Sequence, residues 1–247
     1  MAKVLFINPI VREEEEPKHV PMGMAQLAAI SIKLGHKVQV YDHNAWRADD
    51  DQVSEVIKAE NWDLIGIGGI TTAYASIKKL VRLIKKIKPD QLISLGGGVL
   101  TSLPKEMMTW LPEVTFGFIG ESYKTFPEVL SMIDKKKKDW NKINGTISRK
   151  DNGELYISEK RDLIENLDDL PYPAYDLFPI EEVYFKNSAL MYSEEGMRAT
   201  RRLDINASIG CSLVCKFCYH LGLSLIHISE PTRQAEISYS GVCLKKK

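Results

Sequence analysis

Over residues 1–135, short apolar runs alternate with amphipathic stretches of helical period, a rhythm that few folds accept. Lys3–Asn8 is an apolar run closed by Asn8-Pro9, as expected of a buried parallel strand. Met24, Leu27, Ala28 and Leu34 share one face of a helix that stops at Gly35. Lys37–Asp42 follows as a second strand, Gln52–Glu60 as a second helix and Leu64–Gly68 as a third strand. Ile77, Leu80, Val81, Ile84 and Ile87 then form the clearest stripe in the chain, and Pro89 ends that helix. The lysines and Arg82 lying mostly outside the stripe read as a solvated outer face rather than a binding patch. Gln91–Leu95 and Phe116–Ile119 supply strands four and five, and Thr125–Ile133 a last helix. The pattern predicts an α/β domain built on a doubly wound, mostly parallel five-stranded sheet, Rossmann-like in form, with right-handed crossovers.

In such sheets ligands sit beyond the carboxyl ends of the strands. Three of the loops there are glycine-rich: Gly68-Gly69-Ile70-Thr71-Thr72, Gly96-Gly97-Gly98 and Gly120-Glu121-Ser122. Glycine lets backbone approach a flat or bulky ligand closely and accepts positive φ. Two such loops on adjacent strands make a slot for a large cofactor; tight packing without a ligand is the other reading. There is no GxGxxG and no phosphate-loop lysine, which disfavours nucleotide sites of those types.

Lys135–Lys138 is a charge run at the end of this region. Thr146–Lys150 and Glu154–Ser158 flank Asp151-Asn152-Gly153, a strong hairpin signal. The proline-stiffened passage Leu167–Ala174 follows, so 136–200 reads as a connector. Leu203–Ala207 reads as a strand leading into Cys211, Cys215 and Cys218, spaced C-x3-C-x2-C with Phe217 before the last cysteine. Clustered thiols in a reducing compartment indicate a metal or a redox reaction. Three thiolates leave one iron of a [4Fe–4S] cubane without a protein ligand. Joined by His220, the same cysteines could instead hold zinc tetrahedrally.

These features resemble a known family. Pro21-Met22-Gly23-Met24-Ala25-Gln26-Leu27-Ala28, Gly35-His36-Lys37-Val38 with Asp42, Asp63–Ile67 and the three glycine loops are similar to the cobalamin-binding domain that precedes many radical S-adenosylmethionine (radical SAM) barrels. The cysteine spacing matches the radical SAM signature, and the Leu167–Pro173 passage resembles the link between the two domains. The resemblance implies cofactor contacts at Thr71, Thr72, Gly97, Gly98, Gly120 and Glu121, and a [4Fe–4S] cluster on Cys211, Cys215 and Cys218. It further implies that S-adenosylmethionine occupies the vacant iron. An external one-electron reductant then drives its cleavage to a 5′-deoxyadenosyl radical, for methyl transfer or rearrangement of a small-molecule substrate. The Asp-x-His-x-x-Gly motif that places a histidine on cobalt is missing, and Asp42-His43-Asn44 follows the wrong strand, so cobalamin is expected in the cleft without a protein histidine on the metal. A cobalamin-binding module without catalysis is the non-enzymatic alternative.

Net charge is zero, which gives no reason to expect nucleic acid or an anionic membrane as partner. No apolar run approaches a membrane span and the start does not fit a signal peptide, so a cytoplasmic protein is expected. Residues 201–222 read as the opening of a radical SAM barrel, whose remaining βα units need well over ~100 residues. The sequence ends at Lys247, and Ser224–Arg233 resembles translated sequencing-adapter read-through. Residues 223–247 therefore read as a non-native tail, a genuine short tail being the alternative. A chain ending there is expected to release no 5′-deoxyadenosine.

Overall fold

The computed structural model describes residues 1–150, 152–187, 203 and 205. In chain order the principal elements are β1 (Lys3–Asn8), α1 (Met22–Lys33), β2 (Lys37–Asp42), the short α2 (His43–Trp46), α3 (Asp50–Lys58), β3 (Leu64–Gly68), α4 (Tyr74–Ile87) and β4 (Ile93–Gly96). They continue with α5 (Gly98–Ser102), α6 (Pro104–Trp110), β5 (Phe116–Phe118), α7 (Thr125–Asp134), β6 (Thr146–Arg149) and β7 (Leu155–Ile157). The seven strands form one sheet in the order β2-β1-β3-β4-β5-β6-β7. The first five are parallel; β6 and β7 pair antiparallel.

The sheet thus has two strands more than the five expected. The chain reverses between Lys150 and Glu154, where Gly153 N–H donates to the Lys150 carbonyl (2.8 Å), as the sequence indicates, but the hairpin does not stand apart as a connector. It lays β6 against β5, pairing Gly117 with Ile147, and covers what would otherwise be an open edge. The mostly parallel α/β architecture itself is as the alternating pattern predicts. The order reverses between β1 and β3, the place where such sheets open a crevice.

Each face of the sheet is buried under its own helices. Leu5, Ile7, Ile65, Ile67, Ile93 and Leu95 pack against α3 through α6, where Val53, Ile57, Ile77, Leu80, Val81 and Ile84 turn inward. Ile87 of the predicted stripe is only partly buried. The outer face of α4 is solvated and paired, with Lys79 on Asp50 and Arg82 near Glu113. The opposite face is aromatic: Phe6 and Phe118 each lie 5.4 Å from Phe126 of α7, and Phe116 stacks on Trp140 at 4.5 Å. Burial of each large apolar side chain contributes roughly 1.5–3 kcal/mol. Leu34, expected on the apolar face of α1, is instead half exposed, because the helix ends at Lys33 and Gly35 turns the chain at φ +83°.

The described part of 136–187 returns across α1. Ala174 N–H donates to the Ala25 carbonyl (3.1 Å), Gln26 Nε2 donates to the Pro171 carbonyl (2.7 Å), and Phe178 and Tyr184 enter the aromatic core. At the amino ends of β1 and β2, Glu60 accepts from Lys3 Nζ at 2.7 Å and Lys37 Nζ at 2.5 Å. Those two hydrogen bonds hold its carboxyl down to about 2, against an ordinary value of 4.5. A depressed carboxyl stabilises the fold above its unfolded value and loses that contribution as pH falls through the folded one. Wild-type protein is therefore expected to melt above Glu60→Gln at pH 6, with the gap closing between pH 4.5 and 2; a gap constant over that range would refute the role of this pairing.

Candidate functional site

A cavity of about 820 Å³ opens at the carboxyl ends of β1, β3, β4 and β5, at the reversal point of the sheet. The sheet side supplies Phe6, Gly66, Ser94 and Phe118, with Met24 and Leu27 from α1 and Phe126 from α7. A cavity of this size, mostly apolar with a few polar groups, is the usual form of a cofactor site.

The glycine loops form its rim, and they are tied to one another. Gly69 N–H donates to the Gly96 carbonyl (3.3 Å), Val99 N–H to the Gly69 carbonyl (3.0 Å) and Gly120 N–H to Thr101 Oγ1 (3.0 Å). Gly97 sits at φ +81°, and a Cβ there would lie 2.6 Å from the Gly69 carbonyl oxygen. Only glycine permits this close passage. At Gly120, by contrast, a Cβ would meet nothing within 4 Å: the space beside it is open.

Gly97, Gly98, Gly120 and Glu121 all line the cavity, so four of the six residues singled out for the cofactor come together. Thr71 and Thr72 do not join them. The chain enters a 3-10 turn at Thr71–Ala73, which buries Ala73 and leaves both threonines exposed, so Gly68-Gly69-Ile70 forms that part of the rim. Cys211, Cys215, Cys218 and His220 lie outside the described residues.

One wall was not foreseen. The segment Val11–Pro21 passes over the cavity and contributes Arg12, Glu15, Lys18 and His19 to its lining. Arg47 fastens it: Nη1 donates to the carbonyls of Arg12 (2.7 Å) and Glu13 (3.3 Å), and Nη2 to that of Glu15. Val11 N–H donates to Asn44 Oδ1 at 3.0 Å. Arg47 itself has φ 52°, in the left-handed region. No glycine or asparagine marks that position, so the sequence carries no sign of the fastening.

Behind Asn8, another lining residue, lies a buried polar cluster. Asp42 accepts from Asn8 Nδ2 (2.7 Å), from Ala45 N–H (3.0 Å) as the cap of α2, and from the Tyr184 hydroxyl. Burial pushes the Asp42 carboxyl up, outweighing the lowering effect of these three bonds. Burial, and then the charge of Asp42, push the Tyr184 hydroxyl up as well. His43 faces a different cleft; its Nε2 lies 2.9 Å from the Ala48 carbonyl, and burial pushes its pKa down. His36 serves the turn, with Nδ1 accepting from Ala2 N–H at 3.0 Å.

Among the rim residues Glu121 stands apart. It lines the cavity, yet its Oε2 is sealed from solvent and has no hydrogen-bond partner among the described residues. Burial pushes its carboxyl up, and burial with the nearby Glu121 charge pushes the Tyr123 hydroxyl up to about 12.

Residues 9–130 match the B12 binding domain family. An uncharacterized methyltransferase of Pyrococcus horikoshii is 28% identical over 198 residues, covering 80% of this chain and 40% of the relative. The anaerobic magnesium-protoporphyrin IX monomethyl ester cyclase of Synechocystis is 24% identical over 230 residues, covering 89% of this chain and 42% of the cyclase. This chain spans about 40% of the length of the curated relatives it matches. Among solved structures, the cobalamin-dependent S-adenosylmethionine radical enzyme OxsB, with aqua-cobalamin and S-adenosylmethionine bound, superposes with a TM-score of 0.68 at 16% identity, over 88% of this chain and 28% of OxsB. The radical S-adenosylmethionine methyltransferase TsrM of Kitasatospora setae, with cobalamin and a [4Fe-4S] cluster bound, gives a TM-score of 0.58 at 19% identity over 70% of this chain and 31% of TsrM. No helix among the described residues is long and apolar enough to cross a membrane. Residues 9–130 thus match a B12 binding domain, and the fold is that of the corresponding part of OxsB and TsrM.

Proposed function

We propose that the cavity is a cobalamin site and that this chain is the cobalamin-binding front portion of a radical SAM enzyme. The observation that carries the reading is the position of the cavity. It opens at the reversal point of a parallel sheet, inside the B12-binding region, behind a rim of glycines. The residues present fit such a ligand. The rim loops carry no side chain at Gly97, Gly98 and Gly120, the interior is largely apolar, and open space lies beside Gly120.

Bound cobalamin would supply a cobalt centre that carries a methyl group. The chain's own residues hold the site. Gly69 and Gly97 interlock to fix the rim, Arg47 secures the overlying segment, and the apolar interior excludes water from the buried part of the ligand. Cys211, Cys215 and Cys218 would give three thiolates to a [4Fe–4S] cluster, leaving one iron open for S-adenosylmethionine. An external one-electron donor and a small-molecule substrate complete the proposed set of partners, and methyl transfer or rearrangement the proposed chemistry.

Two measurements test this. Absorbance titration with hydroxocobalamin is expected to saturate at one corrinoid per chain; absence of binding would end the cobalamin reading. Anaerobic reconstitution is expected to load about four irons and four sulfides per chain, and a Cys211→Ala, Cys215→Ala double variant to load none. Zinc in place of iron would favour the tetrahedral site that includes His220. Cobalamin without iron would favour a binding module.

A further inference from the structure

Several polar side chains around the cavity are committed to the protein itself. Asn8 donates to Asp42, Asn44 accepts from Val11, Arg12 pairs with Glu15 at 2.7 Å, and Arg47 donates to three carbonyls. Glu121 differs. Its Oε2 is sealed from solvent and has no hydrogen-bond donor among the described residues, in a stretch of wall that Phe118, Gly120, Ser122, Tyr123 and Phe126 also line. A sealed, unsatisfied carboxyl oxygen is costly to a folded protein, and native structures seldom leave one without a reason. Glu121 lines the cavity, and the last torsion of a glutamate is soft, so its two carboxyl oxygens can exchange places at little cost.

We propose that Glu121 is the polar anchor of the cavity, its carboxyl oxygen accepting a hydrogen bond from an N–H or O–H group on the rim of the bound corrinoid. Cobalamin offers both kinds of donor: primary amides around the corrin ring and a hydroxyl on the ribose of its nucleotide tail. The described residues leave this oxygen unsatisfied, and the ligand would satisfy it. Glu121 is therefore a positioning residue whose removal helps the ligand-free fold and harms binding. The inference rests on the cobalamin reading above.

The test compares wild type with Glu121→Ala and Glu121→Gln, titrated with hydroxocobalamin and with dicyanocobinamide, which lacks the nucleotide tail. Glu121→Ala is expected to bind hydroxocobalamin at least tenfold more weakly. Glu121→Gln, which keeps a carbonyl oxygen, should stay within about threefold of wild type. Without ligand, Glu121→Ala should melt about 2–4 °C above wild type, since the unsatisfied carboxyl is gone. A tenfold loss with both corrinoids assigns the donor to a ring amide, and a loss confined to hydroxocobalamin assigns it to the tail. Wild-type affinity in Glu121→Ala overturns the anchor while leaving the site intact. Failure of wild type to bind either corrinoid removes the cobalamin reading, and the anchor with it.

Discussion

Gly97→Ala is expected to lower the stability of the domain by at least about 3 kcal/mol, on the order of 10 °C in melting temperature, and to abolish corrinoid binding. Two effects add. The backbone at this position, φ 81° and ψ −172°, is a conformation that essentially only glycine adopts. The new methyl would also lie 2.6 Å from the Gly69 carbonyl oxygen and 2.9 Å from its nitrogen. Both neighbours are backbone, and Gly69 is held in turn by its bonds to Gly96 and Val99. The strain therefore cannot be relieved by a side chain swinging away. Gly98→Ala is the control: its methyl would lie an ordinary 3.8 Å from Ile70 Cγ2, so stability should stay within about 0.5 kcal/mol of wild type. Thermal melting of the pair, with absorbance titration of hydroxocobalamin, checks both. A Gly97→Ala protein that melts like wild type would mean that the interlock of the two loops does not fix the rim.

Asp42→Ala should cost about 3–5 kcal/mol by chemical denaturation. The substitution strips an acceptor from the Tyr184 hydroxyl and Asn8 Nδ2, both buried, and removes the cap of α2 at Ala45. Tyr184→Phe removes a single hydroxyl and leaves Asp42 two of its bonds, so about 1–2 kcal/mol is expected. Because the groups touch, the double variant should lose less than the sum, with a coupling of at least about 0.5 kcal/mol. Strict additivity would show that the two side chains do not depend on each other. The pairing joins distant parts of the sequence. Tyr184 comes at the end of the stretch leading toward the cysteine motif, and Asp42 ends β2 beside Asn8, which lines the cavity. Asp42 thus bonds both to Tyr184 and to a residue of the cavity wall.

The core of the fold was legible because its signals are local. Apolar runs and a helical stripe locate β1 through β5 and α4 to within a few residues, since each buries a fixed face. Gly96–Gly98 and Gly120-Glu121 could be placed at a binding edge because parallel sheets put their ligands there. What escaped depends on partners far along the chain. The Asn152-Gly153 turn announces a hairpin, but nothing within 146–158 says that its first strand docks on Phe116–Phe118. Thr71 and Thr72 belong to the loop that the resemblance marked, yet a single turn of 3-10 helix leaves them exposed and outside the lining. Segment 11–21 has no periodicity, and its place depends on side chains reaching across from Asn44 and Arg47.

That last contact sets how the compartment can be filled. Its floor is sheet, held by ladder bonds and two apolar layers, whereas its roof is tied by the Arg47 guanidinium and the Asn44 amide, with Val20 buried in the apolar core near its end. The two polar ties join the roof to α2 and the residue after it and involve no ladder bond of the sheet. On the proposed reading, loading and emptying are therefore expected to be events of the finished domain, with its strands kept in register.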